Sequence, residues 1–163
     1  MSLPLSAEDV IEMLGLEALE GEGGYYRRCW TSPESAEGRC FGSAIYFLLT
    51  DGALGFSAFH RLGTDELYHF YRGDPVELHI FLENGDYDRI VLGPDFEIGQ
   101  IPQALVPAGS AQASRLVAGG SWALLGTTMA PAFRLEDFAL LPRAELLALH
   151  PGNARLIEEL TRG

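Results

Sequence analysis

The stretch Gly55-Phe-Ser-Ala-Phe-His60-Arg-Leu-Gly-Thr-Asp65-Glu66-Leu-Tyr-His69-Phe-Tyr-Arg-Gly73 decides how the chain is read. It holds two short runs, broken at Gly63-Thr64. Side chains alternate along a strand, so Phe56, Ala58, His60 and Leu62 are expected to share one face. His60 then ends one strand and Glu66 begins the next. If those strands pair across the turn, the two Cβ atoms fall about 5 Å apart. A neutral imidazole beside a carboxylate suits an oriented acid/base pair, or two ligands of a divalent metal. A barrel histidine that only satisfies its own hydrogen bonds is the competing reading. His69 follows Glu66 by three residues, so alternation points it to the opposite face.

Outward from this stretch the pattern repeats. From Tyr25 to about Met129, short apolar or alternating runs are separated by turn chemistry such as Asp51-Gly52, Gly73-Asp74-Pro75, Gly93-Pro94 and Gly119-Gly120. Many strands at this spacing indicate an antiparallel sandwich or barrel. Asn84-Gly85, between Leu78-Ile80-Leu82 and Ile90-Val91-Leu92, predicts a hairpin. In the first of its strands Val76, Leu78, Ile80 and Leu82 face inward, with Glu77, His79 and Phe81 opposite. At the start, residues 6–14 read as a helix with Ser6 as cap, Asp9 bonding back and Gly15 as stop. After Ala130-Pro131 the chain is expected to leave the sheet. Pro142 opens a helix through about Leu149, Pro151-Gly152 breaks it, and Asn153 caps a last helix to about Leu160. The expectation is one domain over 1–163: a helical segment at about 6–15, an all-β body at about 25–130, and helices at about 142–161.

Composition narrows the function. Eleven Lys plus Arg against 23 Asp plus Glu leave a net charge of −12 in 163 residues. That charge repels phosphate backbones and anionic lipid, so no nucleic-acid and no membrane partner is expected. The longest apolar run, Ala44 to Leu49, is far short of the roughly 20 residues of a membrane span. The opening shows no basic and apolar leader pattern, and two cysteines, Cys29 and Cys40, are too few for a disulfide scaffold. The expected location is the cytoplasm. Both thiols are expected to be inert, and Asp86, Asp88, Asp95 and Glu97 lack calcium-loop spacing and read as a solvated face. Arg61 reads as a surface ion pair, Trp30 and Trp122 as core filling, and Gly23-Gly24-Tyr25-Tyr26-Arg27 as a turn feeding an edge strand rather than a phosphate loop.

The central stretch resembles the first motif of the cupin superfamily, His-x-His, three or four residues, Glu, six residues, Gly. His60, Glu66 and Gly73 fall on its first histidine, glutamate and glycine, and Leu62 stands where the second histidine would be. The second motif, Pro-x-Gly-x-x-His, resembles Pro107-Ala108-Gly109-Ser110-Ala111-Gln112, with Gln112 replacing the histidine. Within the superfamily the chain resembles the branch known mainly as a domain of unknown function, cupin family five. The matching pieces include Glu22-Gly23-Gly24-Tyr25-Tyr26-Arg27, Ser43-Ala44-Ile45-Tyr46-Phe47-Leu48-Leu49, Tyr68-His69-Phe70, Pro102-Gln103 and Asp137-Phe138. The chain departs from that branch at Glu20-Gly21 (for His-Pro), at Tyr68 and Ala111 (for Trp), and at Ala132 (for Gly).

The resemblance implies a double-stranded β-helix, the cupin jelly roll, with short terminal helices, often paired as a homodimer and similar in fold to rhamnose-pathway epimerases. It also places Tyr46, Gln103 and Gln112 in or near a barrel pocket with His60 and Glu66; His69 joins them as a ligand-binding candidate. No cofactor is expected. A divalent metal on His60, Glu66 and Gln112 is the weaker reading, because an amide oxygen is a poor ligand for zinc or iron. The leading functional expectation is a small-molecule pocket with isomerase- or epimerase-like chemistry on a sugar-like or hydroxy-acid ligand. His60 would act as base, Glu66 would tune its charge, and Gln103 and Gln112 would hold substrate oxygens. A metal-free binding or sensing module is the alternative, and a metal-dependent oxygenase or lyase with a degenerate site is the third.

Overall fold

A computed structural model describes residues 4–163; residues 1–3 of the expected domain lie outside the described residues. Helix α1 (Ala7–Leu14) begins where Ser6 and Asp9 bond reciprocally to each other's backbone, and it stops at Gly15 with φ 61°. The helix buries Val10 against Leu16 and Leu48 on the outside of a sheet.

Thirteen strands follow among the described residues. Six form one antiparallel sheet in the order β1 (Glu17–Ala18), β2 (Tyr25–Thr31), β5 (Ser43–Thr50), β12 (Trp122–Met129), β7 (Glu66–Gly73), β10 (Gln103–Val106). Five form the facing sheet in the order β13 (Phe138–Leu140), β6 (Ser57–Leu62), β11 (Ala111–Leu116), β8 (Val76–Phe81), β9 (Tyr87–Leu92). The short strands β3 (Ser35–Ala36) and β4 (Arg39–Cys40) make a separate hairpin. Between the two large sheets lies the main core, built on Phe47, Leu49, Tyr68, Leu78, Ile80 and Leu125. Burying such side chains contributes roughly 1.5–3 kcal/mol each. Outside the five-stranded sheet, Phe59, Phe81 and Ala113 pack under Leu146 of α2 (Arg143–Leu149) and Ile157 of α3 (Ala154–Glu159). This is a double-stranded β-helix with short terminal helices. Among the described residues no helix is long and apolar enough to cross a membrane.

The expected hairpin is present: β8 pairs β9, and Gly85 takes φ 91° in the turn. Val76, Leu78 and Ile80 face the core while Phe81 packs outward, as alternation requires. Several expectations need correction. First, β6 and β7 do not pair. The edges of β6 are taken by β11 and β13, those of β7 by β12 and β10, so Gly63-Thr64-Asp65 crosses from one sheet to the other. Second, Phe56 does not share the face of His60. A bulge sets His60 opposite Gln112 but Ser57 opposite Ser114, and the extra residue turns Phe56 into the outer cluster with Phe59. Third, the sheet does not end near Met129, because β13 returns to pair with β6; three residues are too few to show a period. Fourth, Trp30 is 49% exposed rather than core, and Asn153 precedes α3 without a side-chain cap bond.

Candidate functional site

A cavity of about 460 Å³ opens between the sheets. Its walls are largely apolar, with Ile45, Phe47, Leu62, Met129 and Phe138 on the sheets and Phe133 in the segment after β12. Six buried polar side chains interrupt that surface, Glu22, Ser43, His60, Glu66, Tyr68 and Thr127, and exposed Glu17, Glu20, Arg27 and Arg28 stand around its mouth.

His60 sits at the bulge of β6, 2% exposed. Its Nδ1 lies 2.8 Å from the Ala58 carbonyl oxygen. A carbonyl only accepts, so the bond requires a proton on Nδ1, and the tautomer it selects carries its lone pair on Nε2. Behind Nδ1, 3.8 Å away, is Glu22 Oε1. The same Glu22 oxygen accepts a 2.7 Å bond from Ser57 Oγ, from the other side of the bulge.

Glu22 owes its place to the turn that leads into β2. Gly23 follows with φ 103°, and a Cβ there would overlap both the Phe56 carbonyl and the Arg162 guanidinium. From the far end of the chain, Arg162 donates to the carbonyls of Phe56 (2.8 Å), Ala53 (3.2 Å) and Glu22 (3.3 Å), with its guanidinium carbon 4.0 Å from the Phe56 ring centre. The Ala58 N–H adds a 2.8 Å bond to the Glu22 carbonyl. The turn carrying the carboxylate is therefore clamped from two sides.

Glu66 opens β7 and faces His60 from the other sheet. Burial pushes its carboxyl upward; the charge of Glu22 adds to this, while His60 and hydrogen bonds from Thr127 and Gln112 oppose it. Gln112 is committed at both ends, accepting from Tyr68 Oη at 2.8 Å and donating to Glu66 at 3.0 Å. The Tyr68 hydroxyl is held well above its usual range by burial and the neighbouring carboxylates, so it stays a phenol.

The structure thus brings His60 and Glu66 to one cavity and places Gln112 behind its wall as a partner of Glu66. The other ligand-binding candidates lie elsewhere. Tyr46, His69 and Gln103 fall on the outer face of the six-stranded sheet, in one row through Gly126. Tyr46 stands between inward Ile45 and Phe47 and carries Arg27 over its ring at 5.5 Å. Gln103 Nε2 donates to His69 Nδ1 at 3.1 Å, and His69 Nε2 donates to Thr128 Oγ1 at 3.0 Å. Period-two alternation excludes all three from the cavity. Sequence reasoning missed Glu22 and Tyr68 as site residues, although both lie in pieces that carried the family resemblance. The available signal for Glu22 was a carboxylate directly before two glycines, which holds it on a tight turn.

A divalent metal does not fit these donors. Among the described residues, no three His, Cys, Asp or Glu side chains stand close enough to share one. Leu62 occupies the position of the second motif histidine, and the Gln112 oxygen already accepts from Tyr68.

Two facing antiparallel sheets of this connectivity, enclosing a cavity that opens between them, define a barrel protein of the cupin class. The chain belongs to the family described as Cupin superfamily (DUF985), whose model matches residues 8–141. Its fold is similar to that of protein SO0799 from Shewanella oneidensis, at 34% identity over 98% of this chain and 99% of that one, TM-score 0.91. A hypothetical protein from Leishmania major is similar at 28% identity over 98% and 100% of the two chains, TM-score 0.90. Oxalate decarboxylase from Bacillus subtilis shares the fold alone, at 17% identity, 89% of this chain, 37% of that one and TM-score 0.58. No curated protein matches the chain.

Proposed function

We propose that the barrel cavity binds a small polar molecule and moves a proton next to its carbonyl group, an isomerase- or epimerase-like reaction on a sugar-like or hydroxy-acid ligand. The observation that carries this is His60: buried on the cavity wall, its Nδ1–H committed to Ala58, its Nε2 the nitrogen that can accept. In the step, the substrate C–H bond breaks, its proton passes to Nε2 and its electron pair enters the carbonyl as an enolate. Glu22, 3.8 Å from Nδ1, offsets the positive charge the ring then carries. Glu66, across the cavity on the facing sheet with its carboxyl pushed upward by burial, is the group placed to exchange a proton with the enolate oxygen. Returning the ring's proton to the opposite face or the adjacent carbon completes the reaction.

The test is exchange of the substrate C–H with deuterium, followed by NMR over a panel of aldoses, uronic acids and hydroxy acids. Wild type should exchange at least one of them, and His60→Ala should be slower by a factor on the order of 10²–10⁴. Equal exchange by His60→Ala removes the proposal. The metal-free binding module is favoured by a different observation: Tyr68, Gln112 and Glu66 satisfy one another in a closed chain, which suits a rigid wall. It requires a ligand that raises the melting temperature and is recovered unchanged. A homodimer, implied by the resemblance, is also proposed; sedimentation should then give twice the 17.8 kDa of the chain.

A further inference from the structure

We propose that Arg28 makes the cavity selective for a ligand with a carboxylate, a hydroxy or uronic acid rather than a neutral sugar; this rests on the cavity being the ligand site. All eleven basic residues of the chain are arginine. Among the described residues, every guanidinium but those of Arg27, Arg28 and Arg72 has a carboxylate, carbonyl or hydroxyl partner. Arg27 also borders the cavity mouth, but it pairs with Tyr46 on the outer face of the sheet and its guanidinium lies over that ring. Arg72 sits exposed near the end of β7 and does not line the cavity. Arg28 differs from both.

Arg28 is exposed too, but two observations set it at the cavity mouth on the inner face of β2. It pairs across the ladder with Ile45, which packs against the main core and lines the cavity. Its guanidinium carbon lies 5.6 Å from the centre of the Phe133 ring, itself a cavity wall. The register of β2 shifts between Arg28 and Trp30, so Arg28 is the last regularly paired residue before the irregularity. Stacked on an aromatic shelf, the planar fork keeps its N–H donors free for a bidentate partner.

The surrounding charge makes such a site selective. Glu17 and Glu20 line the same cavity toward its rim, Glu22 and Glu66 lie deep, and the chain carries −12 overall. None of these four carboxylates lies within 4.0 Å of Arg28. Nothing in that field attracts an anion in general. A carboxylate enters only where two N–H bonds meet it, at Arg28. With its acid group there, a ligand of a few carbons runs inward along the apolar walls toward His60.

The experiment uses the full chain and matched probes: D-glucuronate and D-gluconate against D-glucose and D-glucitol, by calorimetry at low salt. His60 ring signals in NMR report whether a probe enters the cavity. The acids should bind and move the His60 signals, and the neutral compounds should not. Arg28→Gln should weaken the acids by about tenfold or more, while Arg72→Gln leaves them unchanged. Equal binding of acid and neutral probes, no acid binding at all, or an Arg28→Gln protein that holds the acids as wild type does, overturns the proposal. Neutral probes that bind and move His60 would leave the cavity reading standing while Arg28 fails. Acid binding that leaves the His60 signals unmoved would remove both.

Discussion

Burial acts on Glu66 and Glu77 in the same direction, and their partners decide the outcome. At Glu66 burial dominates, and the carboxyl is pushed upward. At Glu77, on the outer face of β8, burial also pushes upward, but hydrogen bonds and charge from Arg89 and Arg115 outweigh it and bring the group from 4.5 to about 2. The pH dependences are therefore opposite. A raised carboxyl is protonated more readily in the folded state, so the stability it lends is full below 4.5 and is lost as pH rises through the folded value. Glu66→Gln should raise the melting temperature at about pH 8, with the gain shrinking as pH approaches 4.5. A lowered carboxyl lends stability above 4.5 and loses it as pH falls toward 2. Glu77→Gln should therefore melt lower than wild type at neutral pH and converge with it in acid. Melting curves of both variants across pH check each sign; parallel curves would refute the assignments.

Elements matter here through the devices that aim side chains. The bulge between β6 and β11 puts Ser57 and His60 on the same side, where both meet Glu22. The clamp of Arg162 on the Glu22–Gly23 turn depends on three carbonyl acceptors from two segments. Arg162→Ala leaves those acceptors without their donor and should cost about 1–3 kcal/mol in urea unfolding. It should also shift the His60 ring signals, because the turn positions the carboxylate behind Nδ1. A stability loss with unmoved His60 signals would limit Arg162 to packing. At the other end, Ser6→Ala removes half of a reciprocal cap and should cost about 1 kcal/mol.

For the whole molecule, stability rests on the layer between the sheets. Leu78 and Leu125 are fully buried there, from facing sheets. Truncation of either to alanine should cost about 2–5 kcal/mol in denaturant titration, at unchanged cavity ligand affinity if the two functions are separate. The strands and turns were legible from local pattern: alternation in β8, Asn84-Gly85, and the Ser6–Asp9 cap each depend on neighbours a few residues away. So was the meeting of His60 and Glu66 at one cavity, through the motif that carries the family resemblance. Which strand pairs with which was not legible for β6 and β7, since a short Gly-containing turn serves a hairpin and a sheet-to-sheet crossing equally well. Nor were Tyr46, His69 and Gln103 separable by residue type from true cavity residues; only their register on the outer face removes them. Sequence alone determined the antiparallel all-β body, its helical ends and the residue types available for proton transfer, because period, turn chemistry and caps are local. Tertiary structure decided the site itself. It brought Glu22, Ser57, His60 and Glu66 together from two sheets, with Arg162 holding the turn from the chain's far end, and such long-range juxtaposition leaves no local period to read.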